Sequence, residues 1–336
     1  MTQVIPLDTD LPQPKAIDLA ASIIRHGGLV AFPTETVYGL GADAMNESAV
    51  QKLFEAKGRP ADNPLIVHVC SRDMLDLVAC DIGDRAHQLI ERFWPGPLTL
   101  VLKRKPEVAP SVSAGLPSVA VRMPRNKIAL ELIRSARTPI AAPSANASGR
   151  PSPTTAAHVL EDLDGRIDLI LNGGDSSVGI ESTVLDVTTD PPMILRPGAI
   201  TREMLMGIIG NVEQATSIEE LRHSPGTRHR HYSPRARVVL LEPESPESID
   251  QICAGYLKQG QGKIGFIGHT PIALNDPNLN TIMLDPSAKA YARSIYSALR
   301  ELDQAGTTVI IVEGISDKGL GAGVMDRLRR AASGTK

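Results

Sequence analysis

The pattern of apolar segments changes near residue 211, and this change limits the folds that the chain can adopt. Before residue 211, short apolar runs outnumber helical periodicities and follow no regular alternation, which indicates a mixed α/β sheet. After residue 236, strands and helices alternate, which predicts a small parallel sheet of the Rossmann-like type. We therefore predict a first domain over residues 1–210, a linker over residues 211–236 and a smaller domain over residues 237–336.

Hydrophobic periodicity and the flanking Gly, Pro and cap residues locate the individual elements. In the first domain we predict helices at Lys15–Arg25, at Arg85–Trp94 and from an Asn46 cap to about Lys57. The strands predicted there are Leu29–Phe32, Leu65–Val69, Leu98–Leu102, Val119–Val121, Ile140–Ala142 and Leu169–Leu171. In the second domain we predict strands at Val238–Leu241, Ile264–Ile267, Thr281–Leu284 and Thr308–Val312, and helices at Glu247–Lys258, Ser287–Leu302 and within Gly319–Ala332.

Composition excludes several classes of protein. Apolar residues make up 42% of the 336 residues, enough for a sizeable core, and a net charge of −3 confines any phosphate or nucleic-acid site to a local patch. The three cysteines form no C-x-x-C pair, which argues against a disulfide framework and a cysteine-rich zinc site. No apolar run approaches membrane-spanning length and no signal-peptide pattern opens the chain, so we expect a cytoplasmic protein without membrane contact.

A second constraint is the stretch P-T-E-T-V-Y-G-L-G at residues 33–41, which follows a predicted strand. Pro33 cannot donate a ladder hydrogen bond and ends that strand. Two hydroxyls then flank the carboxylate of Glu35, and two glycines permit either a close backbone approach or a positive φ. The stretch is typical of a binding loop, and a strand-end turn with surface hydroxyls fits it equally well.

Four basic residues lie in loops or at strand ends beside glycine or proline: Lys57, Arg59, Arg122 and Arg196. A rigid turn holds such a cation in place, and Arg suits bidentate recognition of carboxylate or phosphate. We interpret the four as anion-binding residues. Solvated surface charges are the alternative interpretation.

The loop Pro143–Thr154, P-S-A-N-A-S-G-R-P-S-P-T, combines small residues with hydroxyls and an amide, and we call it the small-residue loop. Small side chains expose backbone N–H groups, so such loops bind anions. Neither G-x-x-x-x-G-K-[ST] nor G-x-G-x-x-G occurs in the chain, and a polar turn before a helix is the plainer interpretation. His68, alone inside an apolar strand, is typical of a core histidine and has no second ligand at zinc-site spacing.

Together these loops resemble one family, the threonylcarbamoyl-AMP synthases in their long two-domain form. The motifs that carry the resemblance stand in the family's order and cover nearly the whole chain: P-T-E-T-V-Y-G-L-G, K-G-R-P-x-x-N-P-L, P-G-P-x-T, V-R-x-P, P-S-A-N-x-S-G-x-P-S-P-T, G-x-E-S-T-V-x-D and L-R-P-G. The linker motif S-P-G-x-x-x-x-H-Y-x-P and the ending M-x-R-L-x-R-A-A mark the long form.

The resemblance implies an α/β fold of two domains: an N-terminal YrdC-like domain with a twisted mixed sheet and a basic cavity, and a smaller C-terminal Rossmann-like parallel domain. It implies a nucleotidyltransferase that forms threonylcarbamoyl-adenylate and pyrophosphate from L-threonine, bicarbonate or CO2, and ATP. Downstream proteins then transfer the threonylcarbamoyl group to the adenosine beside the anticodon of certain tRNAs, so any tRNA contact is expected to be indirect. Mg²⁺ is expected to accompany ATP, without protein ligands that the sequence can name.

By motif, the resemblance implies an L-threonine pocket formed by Thr36, His68, Arg122, Ala142 and Ser182. It implies that ATP is held by Arg59, Asn63, Ser118, Ser144, Ser152, Arg196 and Tyr232. We add Asn146 to the ATP site and take Lys57, with Arg59, as catalytic, because these residues lie in the same loops. Positioning and charge stabilisation dominate such chemistry, which fits a site rich in Arg, Lys and hydroxyls.

Two further hypotheses concern the same residues. A tRNA- or double-stranded-RNA-binding module without its own catalysis is the alternative function, although near-neutral charge and an aromatic content of 3% count against it. In the linker, a cationic segment that ends in a phenol suits a lid over bound phosphates: Arg228, His229, Arg230, His231 and Tyr232. A passive basic tether is the alternative interpretation of that segment.

Overall fold

The computed structural model describes residues 1–217, 232–243, 248–260 and 262–333. The chain forms two compact units: unit 1 comprises Met1–Ser148 and Ser152–Arg228, and unit 2 comprises Gly149–Pro151 and His229–Lys336. Among the described residues, no helix has the length and apolar character needed to cross a membrane.

Unit 1 is organised by its strands, which are β1 (Gln3–Pro6), β2 (Val30–Phe32), β3 (Gly39–Asp43), β4 (Ile66–His68), β5 (Ala79–Cys80), β6 (Leu98–Arg104), β7 (Ser118–Arg122), β8 (Ile140–Ala141), β9 (Leu169–Asn172), β10 (Thr183–Asp186), β11 (Met193–Arg196) and β12 (Glu213–Gln214). They form one 12-stranded sheet in the order β1-β9-β2-β3-β8-β4-β7-β6-β10-β11-β12, with β5 paired to β6. The pair β4–β7 is parallel and the pair β6–β7 is antiparallel. These pairs confirm the predicted mixed α/β sheet.

The helices described in unit 1 are α1 (Pro14–Arg25), α2 (Glu47–Lys57), α3 (Arg72–Leu75), α4 (Asp84–Phe93), α5 (Lys127–Ala136), α6 (Ala156–Leu163) and α7 (Arg202–Ile209), with a 3-10 helix at Pro110–Ser113. Asn46 caps α2 as predicted, because its side chain accepts a hydrogen bond from the N–H of Ala49. Gly58 ends α2 in the left-handed conformation with φ of 61°, which side chains with a Cβ rarely adopt. This glycine sets the direction of the K-G-R-P loop.

The central strands of unit 1 are buried on both faces of the sheet. Successive side chains point to opposite faces, and on one face they join the main core, as Val67 and Val121 do. The opposite face, which we call the second face, carries a smaller apolar cluster of Ile66, Val101, Ala120, Val184 and Leu195. Burial on both sides explains why these strands read as continuous apolar runs in the sequence.

Unit 2 contains a four-stranded parallel sheet with strands β13 (Arg237–Leu241), β14 (Lys263–Gly268), β15 (Leu279–Met283) and β16 (Thr307–Glu313), in the order β13-β16-β14-β15. Its described helices are α8 (Ile249–Lys258), α9 (Ala288–Gln304) and α10 (Leu320–Ser333). The core includes Cys253, Phe266 and Ile311. This arrangement confirms the predicted Rossmann-like parallel sheet.

Several short elements of unit 1 were not predicted from the sequence: β1, β3, β5, β10, β12, α3, α5 and α7. Strand β12 lies inside the predicted linker and pairs with β11. Strand β3 begins within the stretch 33–41 and pairs antiparallel with β2. A Cβ on Gly41 would lie 2.8 Å from Cγ2 of Ile140 and 2.9 Å from Cε1 of Phe32, so this glycine permits a close approach and not a positive φ.

Candidate active site

Polar residues gather at one end of the second face. His68 ends β4, Arg122 ends β7, and the two are direct partners in the parallel ladder. Thr99 is the second residue of the antiparallel β6, and Ser182 directly precedes β10, which runs parallel to β6. Because side chains alternate along each strand, these four residues share one face, side by side in the order β4-β7-β6-β10. We call His68, Thr99, Arg122 and Ser182 the polar end of the second face.

Arg122 is 3% exposed, and each nitrogen of its guanidinium group has a defined neighbour. Nε donates to the carbonyl oxygen of Gly96 at 3.1 Å, and Nη1 donates to Oγ1 of Thr36 at 2.8 Å. Nη2 lies 2.6 Å from Oε1 of Glu35, whose carboxylate is buried as well. The plane of the guanidinium group is therefore fixed from three sides. Removal of either charge alone would leave the other buried without a counter-ion, which is costly.

His68 is a neutral member of this group. Burial, followed by the nearby charge of Arg122, lowers the pKa of the His68 imidazole to about 3. Its ring packs edge-on against Phe32 with centroids 6.1 Å apart, and Nδ1 lies 3.3 Å from the carbonyl oxygen of Ile66. His68 thus supplies hydrogen bonding and shape at neutral pH, and no positive charge.

The T-E-T sequence forms a buried turn, since Thr34, Glu35 and Thr36 are 2%, 4% and 1% exposed. The hydroxyl of Thr34 donates to the carbonyl oxygen of Val37 at 2.6 Å, and the Thr34 and Thr36 hydroxyl oxygens are 2.9 Å apart. The N–H of Gly179 donates to the carbonyl oxygen of Thr36 at 3.0 Å. The alternative of a turn with surface hydroxyls is therefore wrong.

Ser182 connects two strands through its hydroxyl group. Its Oγ lies 2.7 Å from Oγ1 of Thr99, and Nη2 of Arg196 donates to the same Oγ at 3.2 Å. Arg196 is 4% exposed, and its Nη2 also donates to the carbonyl oxygen of Ser182 at 3.0 Å. A Cβ on Gly198 would lie 2.5 Å from the backbone nitrogen of Thr183. Glycine, which has no Cβ, is therefore required at this position of the L-R-P-G turn.

Lys57 anchors the beginning of the small-residue loop. It is 3% exposed, and its Nζ donates to the carbonyl oxygens of Ser144, at 2.6 Å, and of Asn146. Burial, followed by the charge of Arg59, lowers the pKa of the Lys57 ammonium well below its usual range, and Asp162 opposes this effect. For Lys57, Arg122 and Arg196, the alternative of a solvated surface charge is wrong.

Polar side chains of the small-residue loop bond within the loop and to Glu181. The hydroxyl of Ser144 donates to Oδ1 of Asn146 at 2.5 Å, and Nδ2 of Asn146 donates to the carbonyl oxygen of Ala147 at 2.9 Å. The hydroxyl of Ser152 donates to the buried carboxylate of Glu181. These bonds give the loop a defined shape.

The remaining candidates are Arg59 and Asn63, which follow α2, and Ala142, which follows β8. Arg59 is half-buried, and its Nε and Nη2 donate to the carbonyl oxygens of Asn63, at 3.2 Å, and of Pro64, at 3.0 Å. Asn63 is 0% exposed. The backbone N–H of Ala142 donates to the carbonyl oxygen of Ile66 at 2.9 Å, which ties it to β4.

The remaining predicted ATP residues are Ser118 and Tyr232. Ser118 begins β7 and pairs with Lys103, so it lies about 13 Å along the strand from Arg122. Tyr232 belongs to unit 2, where its ring stacks on Tyr296 with centroids 5.6 Å apart. Residues 218–231 lie outside the described residues, including Arg228 to His231, so the lid remains a prediction.

Acidic residues near the site are engaged by other side chains. Glu35 faces Arg122, and Glu181 accepts from Ser152. Across the parts of the chain that the structure describes, no group of three or more His, Cys, Asp or Glu side chains could hold a metal ion. The described residues therefore offer no ready-made site for the expected Mg²⁺, which remains a prediction.

Sequence reasoning gave no role to three of these residues: Glu35, Thr99 and Glu181. Thr99 carried a usable signal, since it is a hydroxyl residue inside the apolar run L-T-L-V-L, on the same side as Val101. Glu35 and Glu181 had none beyond their motifs, because their partners are distant in sequence.

Comparison with known proteins identifies the family. Residues 22–198 match the family model described as "Telomere recombination", and residues 200–333 match the model described as "Threonylcarbamoyl-AMP synthase, C-terminal domain". The threonylcarbamoyl-AMP synthase of Pyrococcus abyssi is 46% identical over 323 residues, which cover 94% of each chain. That of Bacillus subtilis is 44% identical over 334 residues, which cover 98% of this chain and 95% of the relative.

Solved structures agree with these matches. Pyrococcus abyssi Sua5 in complex with L-threonine matches with a TM-score of 0.93 and 45% identity, over 99% of this chain and 98% of that chain. Escherichia coli YciO shares the fold, with a TM-score of 0.53 and 24% identity over 58% of this chain and 95% of its own. Fold and site together define a two-domain enzyme with a YrdC-like first domain. The chain belongs to the threonylcarbamoyl-AMP synthase family.

Proposed function

We propose that the chain is an L-threonylcarbamoyladenylate synthase, which converts L-threonine, bicarbonate or CO2, and ATP to threonylcarbamoyl-adenylate and pyrophosphate. The observation that carries the proposal is the buried guanidinium group of Arg122, held beside Thr36 and in register with His68. A planar guanidinium group in a fixed orientation suits a substrate carboxylate. The Pyrococcus abyssi relative solved with L-threonine supports the same substrate. We assign the L-threonine pocket to Thr36, His68, Arg122, Ala142 and Ser182.

The charges around this pocket suit a zwitterion. Arg122 supplies one buried positive charge, Glu35 supplies one buried negative charge, and His68 is neutral. An amino acid carries one charge of each sign, so it adds no net charge to a region where an uncompensated charge is costly.

The nucleotide would be bound by the basic and hydroxyl groups that surround the small-residue loop. We assign ATP binding to Arg59, Asn63, Ser118, Ser144, Asn146, Ser152, Arg196 and Tyr232. Lys57 donates to loop carbonyl oxygens, so its proposed contribution is to fix the loop, while Arg59 is the proposed catalytic cation. The described residues provide no ligand cluster for Mg²⁺, and we assign it no step.

The proposed reaction has two steps. The neutral threonine amine first attacks CO2, one C–O π bond opens, and an N–H proton passes to solvent to give N-carboxythreonine. An oxygen of the new carbamate group then attacks the α-phosphorus of ATP, and the bond from that phosphorus to pyrophosphate breaks. Protein groups supply orientation and charge stabilisation, which are the dominant contributions in transfers of this kind. Passage of the product to tRNA through downstream proteins, and a cytoplasmic location, remain predictions.

Pyrophosphate release tests the proposal directly. The protein is incubated with ATP, bicarbonate and either L-threonine, L-serine or no amino acid, and labelled bicarbonate is followed into the adenylate. We expect release that depends on threonine and labelled product. No threonine-dependent release, combined with retention of tRNA in a gel shift at physiological salt, would favour the RNA-binding alternative.

A further inference from the structure

We infer that Thr99 is a positioning residue that makes the Ser182 hydroxyl a hydrogen-bond donor toward the amino-acid substrate. The inference rests on the proposed function, because it takes L-threonine as the substrate. It concerns a residue that does not itself contact the substrate and acts through a neighbour.

The direction of the Ser182 hydrogen bonds follows from a count of protons. A serine hydroxyl has one proton and two acceptor lone pairs. Nη2 of Arg196 donates to the Ser182 oxygen at 3.2 Å and so occupies one lone pair. The 2.7 Å contact with Thr99 allows the proton to lie on either oxygen.

The bound ligand decides between the two directions. Thr99 is 0% and Ser182 1% exposed, so the proton that is not used in their contact needs another acceptor. Within the described ranges Ser182 is the one hydrogen-bond partner of the Thr99 hydroxyl, whereas Ser182 belongs to the proposed L-threonine pocket, where a ligand atom can accept its proton. If Ser182 gave its proton to Thr99 in the complex, the Thr99 proton would be buried without an acceptor, which costs the full desolvation of that group. With L-threonine bound, Thr99 therefore donates to Ser182. Both lone pairs of Ser182 are then filled, and its own proton is available to an acceptor atom of the ligand.

Thr36 differs from Ser182 because it keeps a place for a donor. Thr34 gives its proton to the carbonyl oxygen of Val37 at 2.6 Å, so a proton in the 2.9 Å contact between the two threonine hydroxyls can come only from Thr36. The Thr34 oxygen also accepts from the N–H groups of Thr36 and Val37, at 3.2 and 3.3 Å. Nη1 of Arg122 occupies one lone pair of Thr36 at 2.8 Å. The remaining lone pair can accept a hydrogen bond from a ligand amine or hydroxyl.

The pocket therefore presents a donor at Ser182 and an acceptor at Thr36. L-threonine offers acceptors in its carboxylate and hydroxyl oxygens, and donors in its amine and hydroxyl protons. A carboxylate or hydroxyl oxygen of the substrate belongs at Ser182, and the ammonium group does not. The Thr99 hydroxyl enforces this polarity.

The test is Thr99→Val in the full-length protein, because valine keeps the shape of threonine and removes the hydroxyl. Thr99→Ser keeps the hydroxyl. Thr183→Val is a matched control, since Thr183 is also 0% exposed in a neighbouring strand, and its hydroxyl bonds to the carbonyl oxygen of Ile200. L-threonine binding is measured by calorimetry, and KM and kcat are measured by pyrophosphate release.

We expect Thr99→Val to raise the dissociation constant and KM for L-threonine about ten-fold, the scale of one lost hydrogen bond. The KM for ATP and kcat should change less than about three-fold. Thr99→Ser should bind L-threonine within about two-fold of the wild-type affinity. The control Thr183→Val should also stay within about two-fold of wild type. If Thr99→Val fails to fold, the pair Thr99→Ala and Thr99→Ser isolates the hydroxyl in the same way.

Three results would overturn the inference: unchanged threonine binding in Thr99→Val, equal binding in the valine and serine variants, or an equal loss in Thr183→Val. In each of these cases wild-type protein still binds L-threonine, so the proposed function stands. Wild-type protein that neither binds L-threonine nor releases pyrophosphate would remove the proposed function and the inference together.

Discussion

The polar end of the second face and the small-residue loop both gather candidate site residues, but different interactions hold them in place. At the polar end, side chains contact side chains: Arg122 meets Glu35 and Thr36, and Thr99 meets Ser182. In the loop, the ammonium of Lys57 binds backbone carbonyl oxygens. The first region therefore depends on a buried ion pair and on paired hydroxyl groups. The second depends on one cation bound to the backbone and on short contacts within the loop, such as that of Ser144 with Asn146.

Arg122→Met should give the largest effect and would show how far the polar end relies on paired charges. The variant leaves the Glu35 carboxylate buried without its counter-ion, so we expect the free energy of unfolding in urea to fall by about 3–5 kcal/mol. Threonine-dependent pyrophosphate release should be lost as well. The double variant Glu35→Gln/Arg122→Met should recover most of the stability and none of the activity. A double variant no more stable than Arg122→Met would mean that the ion pair is not the cause.

Arg59→Ala probes the basic groups that we assign to ATP beside the small-residue loop. We expect it to affect activity and not stability. Arg59 is half-buried and bonds to carbonyl oxygens in its own turn. Loss of a charged partner of phosphate should lower the rate of pyrophosphate release by roughly 100- to 1000-fold. The free energy of unfolding should change by less than about 1 kcal/mol, as measured in urea. Unchanged release in the variant would remove Arg59 from the ATP site.

Selectivity between L-threonine and L-serine measures how tightly the polar end encloses the substrate side chain. One methyl group in a pocket contributes about 1–3 kcal/mol, so we expect kcat/KM to favour threonine by roughly ten- to two-hundred-fold. The two amino acids are compared in the same pyrophosphate assay at fixed ATP and bicarbonate. A much larger ratio would mean that the pocket reads a feature of threonine beyond its methyl group.

His68→Asn should produce the smallest effect. We expect this effect in the pH dependence of the free energy of unfolding. The folded-state pKa of His68 is about 3, below the ordinary value near 6.5, so the unfolded chain binds the proton first. The stability from neutral His68 is present above pH 6.5 and is lost as the pH falls toward 3.

The measurement is the free energy of unfolding of wild type and His68→Asn between pH 7 and pH 5. Wild type should lose up to about 1.4 kcal/mol more per pH unit than the variant within this window. Identical slopes would mean that His68 does not stay neutral in the folded protein.

The sequence predicts the fold well where a local signal is strong. Buried strands such as β6 and β7 are continuous apolar runs, and α2 has a cap at Asn46 and a stop at Gly58. The strand β3 escaped prediction because Gly39 and Gly41 resemble turn residues, whereas packing against Phe32 is what requires them. The helix α5 has both a cap at Asn126 and apolar periodicity, so this segment does carry a helix signal in its sequence.

For the site, motif order brought most candidates together but did not reveal how they are held. The Thr99–Ser182 contact spans 83 residues and the Arg122–Thr36 contact spans 86 residues. Spacing along the chain carries no information about such pairs, because sheet register and the turns between strands set them. The roles of Thr99 and Glu35 therefore became visible only with the strands in place.

The pairing of β1 with β9 has a consequence for synthesis of the protein. Gln3 lies opposite Leu169, so among the described strands β1 has no partner until most of unit 1 has been translated. At about 5–20 residues per second, that interval is roughly 10–30 seconds. The strand β2 also waits for β9, which leaves its apolar edge open to chaperones over the same period. Nascent chains stalled before Leu169 should therefore be chaperone clients, and chains stalled well beyond Asn172 should be released.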